Sequence, residues 1–136
     1  MLQRIQTIWL FLAAVCTFAG LKLPFYTGNG PMLEGYHALT GTSGINLMIL
    51  TIGIGVIALI NIFLYSNRKL QFRLCLLGIL LEIVLIYLYY NIASNYAEGT
   101  YALSAALQLF IILFFALAAR GIKHDDRIVK ESNRLR

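Results

Sequence analysis

The chain has 136 residues, of which 60% are hydrophobic and only 12% charged. A water-soluble domain needs roughly 25% charged residues to cover its surface, so this composition excludes an ordinary soluble domain. The net charge of +5 does not mark a nucleic-acid binder, because the Lys and Arg residues are spread between apolar runs.

The first apolar run covers about 5–23 and starts directly after Arg4. Its small residues Ala13, Ala14 and Gly20 resemble those near a signal-peptide cleavage site, but the run is longer than a signal core. Ala13-Ala14-Val15-Cys16 is a poor lipoprotein signal, since bulky Val15 precedes the cysteine. A retained helix is the expectation. Residues 22–44 follow as a Gly-rich outer loop, with Gly28, Gly30, Gly35, Gly41 and Gly44 beside Pro24 and Pro31. Thr27-Gly28-Asn29-Gly30 reads as a turn, and Phe25-Tyr26 before it as one arm of a short hairpin.

The second run covers 45–65 and holds no charge; a short basic turn over 66–73 leads to the third, 73–92, which Glu82 interrupts. Residues 93–101 connect to the fourth run, 102–120, and a charged tail occupies 121–136. At 1.5 Å rise per residue each run spans roughly the 30 Å of a hydrocarbon core. Strands of a membrane barrel need only about ten residues with alternating polarity. In hydrocarbon the backbone must satisfy its own polar groups, so the runs are expected to be helices. The expected fold is all-α: one integral membrane domain over 1–136, an antiparallel bundle of four transmembrane helices.

Charge sets the expected orientation. With the N-terminus inside, every Lys and Arg except Lys22 falls on the inner side. Over short loops that bias places both termini on the cytoplasmic side. Trp9, Phe25, Tyr26, Tyr36, Tyr65, Tyr89, Tyr90, Tyr96 and Tyr101 gather near the span ends, where amphipathic rings favour the headgroup level. The tail either prolongs the fourth helix or lies on anionic lipid.

Glu82 is the candidate site residue. It lies about nine residues from Arg73, near the midplane, where an ionised side chain costs on the order of 3 kcal/mol. Acids at that depth face the bundle interior. Cys75, Gly78 and Glu82 recur at helical spacing on one face, two of them small enough for close packing. Thr17, Thr51 and Gln108 each sit about 5 Å to the outer side of their span centres. The four together predict an intramembrane polar layer, with Glu82 as acceptor or, protonated, as donor. Such a layer serves either as interhelical glue or as a relay for protons or cations.

No other motif carries chemistry. Cys16 and Cys75 lie at different depths, too far apart for the ~7 Å Cα separation that a disulfide allows, and read as small buried residues. Glu34-x-x-His37 and His124-Asp125-Asp126 bring too few ligands for a metal, and no cofactor-binding loop or nucleophile motif occurs. Asn46, Asn61 and Asn91 read as cap or interface groups.

The opening Met1-Leu2-Gln3-Arg4-Ile5-Gln6-Thr7, running directly into an apolar stretch, resembles a family of small four-helix membrane proteins of Bacteroidetes bacteria. The four runs, the Gly-rich first outer loop, the basic inner turn and the charged tail extend the likeness over most of the chain. The resemblance implies inner-membrane residence and supplies no catalytic residue, because the function of that family is unknown.

These readings favour a non-enzymatic accessory or scaffold subunit that packs against a membrane partner. A small oligomeric transporter or ion-conducting protein using Glu82 is the alternative. A membrane enzyme acting on a lipid or isoprenoid ranks third, resting only on His124-Asp125-Asp126. The expected contacts are the lipid bilayer and a membrane-protein partner or a second copy, with no nucleic acid.

Overall fold

The computed structural model describes residues 2–29 and 35–136. Four helices carry the fold: α1 (Leu2–Ala19), α2 (Ile45–Phe63), α3 (Arg68–Ala93) and α4 (Ala106–Arg134). Between them lie three short strands, β1 (Tyr26–Asn29), β2 (Tyr36–Leu39) and β3 (Gly99–Tyr101), and a single 3-10 turn at Leu103–Ala105 leads into α4. The helices form a ring in which α1 packs on α2 and α4, and α3 packs on α2 and α4. The short connection over 64–67 makes α2 and α3 antiparallel neighbours.

Helix ends follow local chemistry. The α1 helix stops at Ala19, before Gly20 and Pro24, and so falls short of the expected run to residue 23. The Asn67 side chain caps α3 by accepting from the Leu70 N–H at 3.4 Å, which starts that helix at Arg68, earlier than residue 73. At the other end α4 runs on to Arg134, so most of the tail is helical. Lys130–Asp126 at 2.7 Å and Arg127–Glu131 at 3.1 Å are spaced one turn apart along it and support the extension.

A sheet replaces the expected loop after α1. Its order is β2-β1-β3, both pairings antiparallel, with Tyr26 opposite Leu39 on one side and Tyr101 on the other. Phe25-Tyr26 does lead into a hairpin, yet Thr27, Gly28 and Asn29 belong to the central strand and not to its turn. The physical reason is close approach. A Cβ on Gly28 would stand 2.9 Å from the Gly99 Cα and closer still to the Glu98 carbonyl, so the glycine admits β3. Gly30 of the expected turn falls outside the described residues, as do Pro31 and Glu34. Gly35, with φ 126°, brings the chain back into β2 in a conformation that favours glycine.

Each helix buries one stripe. On α3 it is Gln71, Cys75, Gly78, Glu82, Leu85, Tyr89 and Ala93, spaced three or four residues apart. Gly78 accepts the Phe115 ring of α4, and a Cβ there would stand 2.8 Å from it. Gly55 of α2 does the same for Phe18 of α1, at 2.7 Å. Phe25, ahead of β1, stacks on Tyr89 with centroids 4.5 Å apart and so seats the sheet on the helices.

Three of the four helices are long and apolar enough to cross a membrane, Ile45–Phe63, Arg68–Ala93 and Leu103–Arg134 with the lead-in turn counted. The apolar part of α1, Arg4–Ala19, is shorter.

Candidate functional site

Polarity in this molecule is turned inside out. Gln6, Thr17, Thr51, Asn61, Gln71, Glu82, Gln108 and Asp125 are all buried between the helices. Large apolar side chains such as Ile8, Phe11, Ile49, Phe63, Leu80, Ile83, Leu109 and Leu113 are exposed around the outside. The buried polar groups fall into three tiers along the ring.

Glu82 holds the middle tier. Its side chain is 0% exposed, and neither carboxyl oxygen has a hydrogen-bond partner among the described residues. One turn toward the basic end, Gly78 and Phe115 close the core with apolar packing. Two turns toward the sheet, the Tyr89 hydroxyl lies within hydrogen-bonding reach of Thr51 and within electrostatic reach of Glu82.

Thr17, Thr51 and Gln108 are buried as well, on α1, α2 and α4. Their hydrogen bonds run elsewhere than to Glu82. Thr17 Oγ1 donates to the Ala13 carbonyl and Thr51 Oγ1 to the Leu47 carbonyl, each at 2.7 Å. A threonine hydroxyl inside a helix has the carbonyl four residues back as its nearest acceptor, which satisfies the donor locally. Gln108 Oε1 has no partner among the described residues, and the amide nitrogen lies against Gly20, where a Cβ would come within 3.3 Å of it. Tyr89 is the residue that sequence reasoning placed elsewhere: read as a bilayer anchor, it is fully buried beside this tier. Its spacing of seven from Glu82, two turns along the same face, was the signal.

At the basic end four helices each contribute a polar side chain. Gln6 Nε2 donates to Asp125 Oδ2 at 2.5 Å, joining α1 to α4. Asn61 Nδ2 donates to Cys75 Sγ at 3.0 Å, and Gln71 Nε2 to the Asn61 carbonyl at 3.1 Å, joining α2 to α3. Arg68 Nη1 reaches the Asp125 carbonyl at 3.4 Å. Asn61 thus sits in a helix interface, and Asp125 is engaged with Gln6 while His124 is exposed. Cys16 and Cys75 are both free thiols, Cys75 buried and Cys16 half-buried.

Grooves open at the same basic end. One of about 260 Å³ lies between α3 and α4, lined by Arg68, Lys69, Phe72, Arg73, Ile122, Lys123 and Asp126. Another, of about 530 Å³, lies between α1 and α4 against Trp9, Arg120 and Arg127. Neither is lined by Glu82.

A family model described as "Domain of unknown function (DUF4293)" matches residues 2–135, nearly the whole chain, and the chain belongs to that family. No curated protein and no solved structure matches it.

Proposed function

We propose that this member of a family of unknown function is an integral membrane protein, and that it serves as a non-enzymatic accessory or scaffold subunit packing against a partner in the bilayer. One observation carries the membrane reading: apolar side chains face outward while polar ones are sealed inside. In water that arrangement forfeits the burial energy of every exposed Ile, Leu and Phe, roughly 1.5–3 kcal/mol each. In lipid it forfeits nothing, because hydrocarbon tails are as apolar as leucine.

All four helices cross in this reading. The shorter α1 joins because it packs on two neighbours and keeps Ile5, Ile8, Phe11 and Val15 outward. Both termini lie at the basic end, on the cytoplasmic side of a bacterial inner membrane, in accord with the positive-inside bias. The sheet then caps the outer side. Support for the accessory role comes from the apolar faces open to a partner.

Tagged purification from native membranes in mild detergent, with mass spectrometry of the eluate, tests the role. A stoichiometric membrane-protein partner is the expected result. A clean homo-oligomer would overturn it in favour of the second reading.

The unpartnered Glu82 carboxyl is the observation behind that second reading, a small oligomeric transporter or ion-conducting protein. An intramembrane acid with nothing to satisfy it is more costly than bundle cohesion requires. Proteoliposomes under a proton gradient discriminate. Glu82→Gln abolishes a flux under the transport reading, whereas under the accessory reading wild type and variant are equally tight.

A further inference from the structure

We infer that the groove between α3 and α4 is a binding site for the headgroup of an anionic phospholipid. The inference rests on the membrane reading above, and it assigns a ligand that neither the family nor the polar core supplies.

The argument begins with charge. Arg68, Lys69 and Arg73 from the first turns of α3 and Lys123 from α4 converge on one cavity of about 260 Å³. Its one acid, Asp126, already forms an ion pair with Lys130 at 2.7 Å. Four cations therefore share the groove with one carboxylate, already paired with Lys130, and the groove keeps an excess of positive charge. Like charges gathered this closely repel one another, and a phosphodiester relieves the repulsion.

Shape then selects a lipid over a free anion. The groove has an apolar floor, Phe72 of α3 and the fully buried Ile122 of α4. Following Phe72 up α3 at intervals of four residues come Leu76 and Leu80, with Ile83 on the same side one turn farther, all three exposed. These run from the cations toward the middle of the bundle. A ligand with phosphate at one end and hydrocarbon at the other matches both parts of this surface. Depth agrees as well: in the proposed orientation the cations lie at the cytoplasmic headgroup level, where basic pockets between helices take anionic headgroups.

Native mass spectrometry of the full chain released from nanodiscs of equal phosphatidylglycerol and phosphatidylcholine tests this site. The expected result is one retained phosphatidylglycerol at activation energies that strip phosphatidylcholine. A cation near the surface contributes about fivefold, so Arg73→Gln with Lys123→Gln should weaken retention by at least about tenfold. Arg134→Gln with Arg136→Gln removes the same charge from the end of the tail and should leave retention unchanged. Arg73→Lys with Lys123→Arg keeps both charges and should retain the lipid, so it also serves if the neutral variant does not fold. Equal loss in groove and tail variants would overturn the site in favour of diffuse surface attraction. Displacement by equimolar inorganic phosphate would overturn it in favour of a simple anion site. Failure of the chain to enter nanodiscs at all would instead sink the membrane reading on which it rests.

Discussion

At the residue scale, the contrast between Glu82 and Asp125 decides what each contributes. Asp125 accepts from Gln6 at 2.5 Å, whereas Glu82 is fully buried with no partner among the described residues. Removing one member of a buried pair leaves the other unsatisfied, at a cost of about 1–3 kcal/mol. Asp125→Ala should therefore lower stability by about that much in a detergent unfolding titration, while Asp125→Asn largely preserves it. Glu82→Met should do the opposite. Replacing an unpartnered polar group by an apolar one of similar size is neutral or stabilising. A marked loss for Glu82→Met would mean that its carboxyl is satisfied in the membrane, and would count for a bound proton or ion. Outside the bundle, Asp126 offers a pH test. Its hydrogen bond to Lys130 holds the carboxyl below the usual carboxylate range, aided by the charges of Lys130, Arg68 and Lys69. A depressed value means that the interaction is present at neutral pH and lost only as pH falls through that lowered midpoint. Carboxyl NMR should find the midpoint below the ordinary aspartate value, and Lys130→Gln should move it back up.

At the scale of the element, small residues let helices and strands approach. Gly78 receives Phe115 and Gly55 receives Phe18, each where a Cβ would stand under 3.0 Å from the ring. Gly78→Ala should destabilise by about 1–3 kcal/mol through overpacking, and Phe115→Leu should relieve part of that loss when combined with it. An additive double variant would show that the two do not meet. The stripe on α3 was legible in the sequence, because Cys75, Gly78 and Glu82 repeat at helical spacing. The sheet was legible only at its start. Phe25-Tyr26 announced a hairpin arm, but Gly28 read as a turn residue, and nothing local in Gly99-Thr100-Tyr101 indicated that it would pair with β1 across seventy residues of chain.

At the scale of the whole molecule, the charge bias and the inverted polarity describe one object from its two ends. Under the proposed topology, Thr42→Cys on the sheet side should react with an impermeant maleimide in intact cells or outward-facing vesicles. Ser132→Cys near the end of α4 should react only after the membrane is opened. Labelling of both from the same side would refute the four-crossing arrangement.

Sequence by itself determined the helical runs, the basic and neutral ends, and the burial of Glu82. Hydrophobicity and charge are summed locally along the chain, and helical spacing places a residue on a face without knowing its neighbour. Tertiary structure decided the rest: that the threonines spend their hydroxyls on their own helices, that Tyr89 points inward, and that Gln6, Asn61, Gln71 and Asp125 join helices at the basic end. Each of these depends on which helix stands opposite and at what register. The groove that gathers Arg68, Lys69, Arg73 and Lys123 exists for the same reason, since it forms only where α3 and α4 come together.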